Sequence, residues 1–407
     1  MEILRRKKGS FFALLPFYIQ TPKHKASEKE RERERERMKC FSCFSSSKKK
    51  DERNAATTTS ADTNTEGASS SAPPENPVEN SPFPKRFIYQ ELVVATNNFR
   101  DVIGEGGFGI VYKGFLEETE QEVAVKQLKV DLKGQEGKNE FNAEVMFLGR
   151  LHHPNLINLI GSCAYGEQRL IVYEFMPQGS LKDHLFDLKQ GQQPLDWYTR
   201  MRIAFGVAKG LEYMHEKVTP PVIFRDLKPS NILLDENFNP KLSDLGLARL
   251  GPEGDETHVT TLVRGTYGYH APEYLATGHL KVKSDVYAFG IVLLELISGK
   301  RASDLVRQAN VPNLVTWGRR MLNLNDKSRY LRLRDPLIKD NFSPEGFIRA
   351  LAVVLVCLSE DVSARPMMTD VVLTLGPLAA RPNENLSSTS LPQLPNEMNK
   401  PEDASTS

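Results

Sequence analysis

Apolar and polar positions alternate along this chain with two different periods. Ile110 to Phe115 and Glu122 to Leu128 are short and bounded by polar turns, and they read as β-strands. Lys138 to Leu151 reads as helical, and His153-Pro-Asn-Leu156 reads as the start of a further strand. Arg169 to Met176 then runs into the turn Pro177-Gln-Gly179. Trp197 to His215 places Met201, Ala204, Phe205, Ala208, Leu211 and Tyr213 at helical spacing, which predicts a long core helix. Ile232 to Leu234 and Leu242 to Leu245 read as short buried strands between tight loops, and Val286 to Ile297 as an apolar helix. Upstream, Phe87 to Leu92 with Ala95 to Phe99 predicts a short helix capping the folded part.

Composition changes that picture mainly at the two ends. Beyond about residue 98 the chain is rich in apolar residues and can bury a large core. Its longest apolar runs, around Val286 to Ile297 and Ala350 to Leu358, fall short of the ~18 residues that span a membrane. Arg5 to Lys8 followed by Phe11 to Ile19 has the outline of a signal peptide, but it contains Pro16 and lacks a small-residue cleavage site. Glu28 to Arg37 alternates acid and base, so positions four apart carry like charge and a stable helix is disfavoured. Residues 1–37 therefore read as a low-complexity, disordered extension, and Met38 as a candidate functional start. Residues 38–85 read as a disordered linker, 86–98 as the flanking helix, and 379–407 as a Pro/Asn/Ser-rich tail.

The formal net charge is +1, which gives no global field for nucleic acid. Cys40, Cys43, Cys163 and Cys357 are too scattered for a disulfide framework, which points to a reducing compartment. Cys163 and Cys357 sit in apolar surroundings and read as core residues. Cys40-x-x-Cys43 lacks the βαβ context of a redox pair and the second Cys/His pair of a zinc site. Beside Phe41, Phe44 and Lys48 to Lys50, these two thiols fit S-acylation and a membrane anchor. No Gly follows Met38, so N-myristoylation is not supported.

Candidate chemistry concentrates between Phe224 and Gly246, where Asp226 and Asp244 flank Asn231, and Arg225 and Lys228 stand among them. Carboxylate and amide oxygens suit a hard cation, and Mg²⁺ takes one or two such ligands together with substrate phosphates. A lone Asp is ordinarily a turn or a cap, so the weight rests on spacing. Upstream, Gly104-Glu-Gly106-Gly107-Phe-Gly109-Ile-Val111 is a glycine-rich turn that lets backbone N–H groups approach phosphate oxygens. By itself that turn also fits a dinucleotide-binding fold, which would open directly into a helix. Here strands follow, the second carrying Val123-Ala124-Val125-Lys126. A lysine among apolar neighbours needs a counter-charge, and Glu144, in the helical stretch 18 residues on, is the candidate.

In order and spacing, residues 99–378 resemble a protein kinase. Ala95-Thr-x-x-Phe99, Gly265-Thr-Tyr-Gly-Tyr269 and the cysteine cluster resemble the plant receptor-like cytoplasmic Ser/Thr kinases with an acylated N-terminus. The resemblance implies an α+β, bilobal fold: a small β-rich lobe with one regulatory helix (99–175), then a larger, mainly helical lobe (176–378). It implies ATP and Mg²⁺ as cofactors. Gly104, Glu105, Gly106, Gly107, Phe108, Gly109, Val111, Ala124, Lys126, Glu144, Tyr173, Glu174, Met176 and Leu233 would face the nucleotide. Tyr173 would guard the back of the pocket, and Glu174 and Met176 would offer backbone groups to the base. Asp226 would accept or orient the substrate hydroxyl proton and Lys228 would stabilise the moving phosphoryl group. Asn231 and Asp244 would hold metal.

Arg225 would order a phosphothreonine at Thr260 or Thr261, and Thr266 would shape the substrate pocket. Glu273 would pair with Arg365, and Asp285 would brace the catalytic loop. Implied partners are ATP, protein substrates, an upstream membrane receptor kinase and the plasma membrane at its cytoplasmic face. Immunity, development and hormone signalling are all compatible with it. The chain departs from the family pattern at Phe224, where His is usual, and at Leu245, where Phe is usual. Both read as packing residues in an apolar column with Leu148 and Leu159. The alternative they raise is a pseudokinase acting as a binding scaffold.

Overall fold

The computed structural model describes residues 84–129, 136–302, 313–322, 330–338 and 342–381. The expectations for residues 1–83, including Cys40 and Cys43, and for residues 382–407 lie outside the described residues. Six strands form one sheet: β1 Lys85–Arg86, β2 Val102–Gly106, β3 Gly109–Leu116, β4 Gln121–Leu128, β5 Leu159–Tyr165 and β6 Gln168–Glu174. Their order is β1-β5-β6-β4-β3-β2, with β1 parallel to β5 and the other pairs antiparallel. Helix α1 (Tyr89–Ala95) precedes β2, and α2 (Glu136–Leu148) lies between β4 and β5.

Helices then dominate: α3 Leu181–Leu185, α4 Trp197–Glu212, α5 Pro272–Thr277, α6 Val282–Ser298, α7 Leu314–Leu322, α8 Pro344–Cys357 and α9 Met368–Ala379. Three two-stranded ribbons sit among them. These are β7 (Val222–Ile223) with β10 (Arg249–Leu250), β8 (Ile232–Leu234) with β9 (Pro240–Leu242), and β11 (Val259–Thr260) with β12 (His279–Leu280). This is the bilobal α+β arrangement expected. Helix α4 starts where the Asp196 carboxylate accepts from the Thr199 N–H at 2.7 Å, a side-chain N-cap. Helix α6 is apolar nearly all round and is accordingly buried through the middle of the large lobe, ending at Gly299 with φ +64°. Among the described residues no helix is long and apolar enough to cross a membrane.

Several boundaries differ from the expected ones, each for a local reason. The helix expected over Lys138 to Leu151 ends at Leu148, where the Arg150 and Leu151 N–H groups both turn back to the Phe147 carbonyl. His153 to Leu156 is a turn closed by the Leu156 N–H on the His153 carbonyl, and strand β5 starts only at Leu159. The strand expected over Leu242 to Leu245 stops at Leu242, because Asp244 takes a left-handed φ of 67° and Leu245–Leu247 forms a 3₁₀ turn. Phe87 lies between β1 and the helix rather than in the helix, its N–H donating to the Ser162 carbonyl of β5 at 2.9 Å. Helix α4 widens after Glu212 into a π-helical turn, Tyr213–Lys217.

Among the described residues there are two cores. The smaller, behind the sheet, holds Phe87, Leu92, Val123, Val125, Cys163, Leu170 and Val172. The larger runs from α2 (Phe141, Phe147, Leu148) through Phe224 and Leu245 to α4, α6 and α8. Helix α2 therefore packs with the large-lobe core although it is threaded into the small lobe. Cys163 and Cys357 are buried, and burial pushes the Cys357 thiol up to about 12.

The Arg365 guanidinium is fully buried and grips Glu273 with two parallel bonds of 2.7 Å, while its Nε donates to the Ser359 carbonyl. Such a bidentate pair joins α5 to the loop before α9. Glu273→Ala strands a buried cation, so urea denaturation should show a loss of about 3 kcal/mol, against near-neutrality for substitutions at exposed Leu373.

Candidate active site

On β4, Val123 and Val125 point into the small core, so period-two alternation turns Ala124 and Lys126 to the opposite face. There the Lys126 Nζ donates to Glu144 Oε2 at 2.9 Å and to Asp244 Oδ1 at 2.7 Å. Burial works against the Lys126 charge, yet Asp244 and Glu144 outweigh it and hold the ammonium above its ordinary range. Burial pushes the Glu144 carboxyl up, Lys126 pulls it back and Asp244 opposes Lys126. Next to Glu144, burial drives the Tyr173 phenol well above its usual value.

Ala124 is paired with Tyr173 across β4 and β6, and Val111 with Lys126 across β3 and β4, so these four positions adjoin one another. Leu233 on β8 is half-buried and Met176 is buried. The Glu174 carboxylate is taken by Lys241 at 2.7 and 2.9 Å and by the Asn158 N–H at 2.7 Å. The glycine-rich turn is the β2–β3 hairpin, containing Gly104, Glu105 and Gly106 on one strand and Gly109 on the other. At its tip Phe108 lies under the Lys228 ammonium, 5.7 Å from ring centroid to Nζ.

The hairpin glycines do different things. A Cβ on Gly109 would sit 2.1 Å from the Gln127 carbonyl oxygen, so β3 and β4 require glycine there for packing. A Cβ on Gly106 or Gly107 would meet nothing within 4 Å, and at Gly104 only ordinary contact with Val111. The backbone at Gly106 and Gly107 is therefore open and exposed at the hairpin tip.

Asp226 is 3% exposed and collects donors on both oxygens. Its Oδ1 accepts from the Thr266 hydroxyl at 2.7 Å, and Oδ2 accepts from Lys228 at 2.7 Å and from the Asn231 amide at 3.2 Å. Lys228 also donates to Thr266 Oγ1 at 2.7 Å, closing a triangle of carboxylate, ammonium and hydroxyl. The Asn231 amide donates to the Asp226 carbonyl at 2.9 Å, and the Asn231 carbonyl receives the Ser243 N–H at 2.9 Å, which ties this loop to Asp244. Below, Asp285 accepts the Phe224 N–H at 2.7 Å and the Arg225 N–H at 2.8 Å. Arg225 and Asp244 both have positive φ, 76° and 67°. These are strained conformations, and the surrounding bonds hold them.

Arg225 is also buried, with Nε on the Tyr274 hydroxyl at 2.9 Å and Nη2 on Thr261 Oγ1 at 3.3 Å and on the Leu262 carbonyl. Its Nη1 is buried with no hydrogen-bond partner. Burial, then the neighbouring Arg225 and Arg264, press the Arg249 pKa down, so three arginines converge here. Thr260 is exposed on β11, away from that bond.

The structure thus gathers Lys126, Glu144, Asp226, Lys228, Asn231 and Asp244, and it keeps Glu273, Asp285 and Arg365 as bracing groups. Two contributors are absent from the sequence-based expectations. His215 bonds Asp285 Oδ2 at 2.8 Å, and Tyr274 links Arg225, the Arg264 N–H and the Leu262 carbonyl. His215 had a signal: four residues past Leu211, it is a polar residue on the apolar face of the helix. Tyr274 had none, since its partners are 10 to 49 residues away in sequence.

Both implied groups fit. The open hairpin at Gly106 and Gly107 leaves room for nucleotide phosphates. Among the described residues no cluster of three or more His, Cys, Asp or Glu side chains could hold a metal. Asp244 and Asn231 would offer carboxylate and amide oxygens to a divalent cation whose remaining ligands come from phosphate.

The family model described as the protein kinase domain matches residues 98–373. The chain is 51% identical over 387 residues to the probable serine/threonine-protein kinase PBL25 of Arabidopsis thaliana, covering 90% of this chain and 96% of that one. It is 56% identical over 297 residues to the probable serine/threonine-protein kinase PBL7 of the same plant, covering 72% and 78%. It is 56% identical over 295 residues to the Arabidopsis serine/threonine-protein kinase PBS1, covering 72% and 64%.

The unequal glycines can be told apart by stability alone. Gly109→Ala should cost about 3 kcal/mol in urea denaturation, because the strand backbones must part. Gly107→Ala should stay within about 0.5 kcal/mol of the parent and show its effect only on nucleotide affinity.

Proposed function

This chain belongs to the protein kinase family, among the PBS1-like plant receptor-like cytoplasmic kinases, and on that premise we propose how its site serves a serine/threonine kinase. ATP and a divalent cation are its cofactors by family, and we take the cation to be Mg²⁺, given the carboxylate and amide oxygens of Asp244 and Asn231. A bound Mg²⁺ would neutralise charge on the phosphates. Lys126, positioned by Glu144, would hold the phosphates of the nucleotide. Tyr173 closes the back of the base pocket, while Val111, Ala124 and Leu233 enclose the base and Glu174 and Met176 offer it backbone groups.

The observation that carries this reading is the triangle at Asp226. A threonine hydroxyl, that of Thr266, donates to the Asp226 carboxylate while accepting from the Lys228 ammonium. A substrate hydroxyl presented in the same way can pass its proton to Asp226 as its oxygen attacks the γ-phosphorus, the bond from that phosphorus to the β,γ-bridging oxygen breaks and ADP leaves, with Lys228 balancing charge on the moving group. The scaffold alternative loses its ground at Phe224 and Leu245. Both are 0% exposed within the large core, where their job is packing.

Regulation centres on Arg225. Of the two candidate threonines, Thr261 is the one bonded to it, and the unpartnered Nη1 offers a phosphate a further donor. Upstream, Cys40 and Cys43 beside Lys48 to Lys50 support an acyl anchor at the cytoplasmic face of the plasma membrane. Such an anchor would bring the chain beside an upstream membrane receptor kinase that activates it, in receptor-proximal signalling such as plant defence.

Three measurements test this. Radiolabel transfer to the chain itself and to a generic basic protein should fall at least about 10²-fold in Asp226→Asn and Lys126→Met. Label equal to theirs in the parent would end the enzyme reading. A phosphosite map after autophosphorylation should find Thr261, and Thr261→Ala should be less active than Thr260→Ala; the reverse order sinks the assignment. Cys40→Ser/Cys43→Ser should move from the membrane to the soluble fraction, and an unchanged distribution removes the anchor.

A further inference from the structure

The residues ahead of the matched domain are built into the small lobe. Strand β1 adds to the sheet beside β5, with Lys85 opposite Gly161 and Arg86 opposite Ser162. Phe87 and Leu92 are 5% and 0% exposed and fill the small core against Val123, Val125 and Val172. Those valines occupy the back of the strands whose front carries Ala124, Lys126 and Tyr173. The segment therefore presses on the far side of the nucleotide-facing wall.

The lobe is shaped to receive it. A Cβ on Gly161 would fall 2.2 Å from the Lys85 carbonyl oxygen and 2.5 Å from the Phe87 ring, so only glycine admits β1. A Cβ on Gly149, directly after α2, would lie 3.5 Å from the Pro84 ring, which puts the start of the segment at the end of the helix that carries Glu144. Thr96 closes α1 through its hydroxyl on the Leu92 carbonyl at 2.6 Å and accepts the Phe99 N–H at 3.1 Å. Asn97, Asn98 and Phe99 are consecutively left-handed, with φ of 48°, 60° and 55°. A non-glycine run in that region persists only where its surroundings enforce it. Phe99, tilted against Tyr89 at 5.8 Å and edge-on to Tyr112 at 5.1 Å, supplies that enforcement.

We propose that residues 84–99 form a strap that positions the Lys126–Glu144 pair from behind the sheet, with Phe87 as its positioning residue. The strap is the covalent junction between residues 1–83 and the folded domain. A pull on that upstream region meets Pro84 at the end of α2 and β1 first, and β5 and β6 after them. Seating the strap favours phosphate transfer and lifting it lowers transfer. Phe87 touches neither nucleotide nor substrate and acts through β4, β6 and α2.

The test uses the full chain with Phe87→Ala, Gly161→Ala, the milder Phe87→Leu, and exposed-face controls Ile88→Ala and Val94→Ala. The KM for ATP, hydrogen exchange across 136–148 and the melting temperature are read together, with kinetics run well below melting. The expected result is a KM for ATP raised roughly tenfold in Phe87→Ala and Gly161→Ala, with faster exchange across α2 and an intermediate value for Phe87→Leu. The controls should match the parent. A merely inactive fraction lowers kcat and leaves KM alone. Should Phe87→Ala fail to fold, Gly161→Ala and Phe87→Leu decide. Parental KM and parental α2 exchange, with only the melting temperature lowered, would overturn the proposal while leaving the kinase activity itself intact.

Discussion

The ammonium of Lys126, shared between Glu144 and Asp244, is the contact on which the rest depends. It joins a strand, a helix and a large-lobe turn across sequence gaps of 18 and 118 residues. Removing Lys126 leaves two carboxylates without their counter-charge, Glu144 among them fully buried. The three also do not balance, since one cation faces two carboxylates, and the Asp244 charge accordingly works to raise the Glu144 pKa. An excess of one negative charge in this cluster is a reason, internal to the chain, for a cation to be favoured beside Asp244.

Around that contact, chemistry and packing are carried by different residues. Asp285 holds the backbone N–H groups of Phe224 and Arg225, and His215 bonds the same Asp285 Oδ2 that accepts the Phe224 N–H. The catalytic loop is thus fixed through its main chain, and the side chain at 224 is free to be whatever fills the core. Leu245 has the same freedom one residue after Asp244, because the turn there is set by the left-handed φ of Asp244 and the 3₁₀ turn that follows. Two unusual letters in a motif can therefore leave its chemistry whole.

Most of the site was legible in the sequence because each chemical group there is a side chain of fixed type at fixed spacing. The pairing of Lys126 with Glu144 follows from residue type and position, since a strand lysine among valines demands a counter-charge. The elements were less legible wherever a single backbone angle decides them. Leu242 to Leu245 is uniformly compatible with a strand, and only the left-handed Asp244 ends it. His153 to Leu156 has the composition of a strand entry, yet it closes as a turn because the strand partner lies opposite Leu159 onward. Tyr274 was invisible for a different reason: each of its three bonds is long-range or to backbone, and no local pattern marks it.

The activation segment shapes the catalytic triangle as well as flanking it. The Thr266 hydroxyl already occupies the bonds that a substrate hydroxyl needs at Asp226 and Lys228. Where Thr266 sits is set by the loop on either side. His270 Nε2 lies 3.0 Å from the Arg264 carbonyl, and the Tyr274 hydroxyl accepts the Arg264 N–H at 3.0 Å while donating to the Leu262 carbonyl. The same Tyr274 hydroxyl accepts from Arg225 Nε, and Arg225 also reaches Thr261. A charge added at Thr261 would pull on Arg225, and through Tyr274 it would shift the loop that carries Thr266. Ordering of the segment and access of a hydroxyl to Asp226 are then one mechanical problem, with Tyr274 as the joint between them.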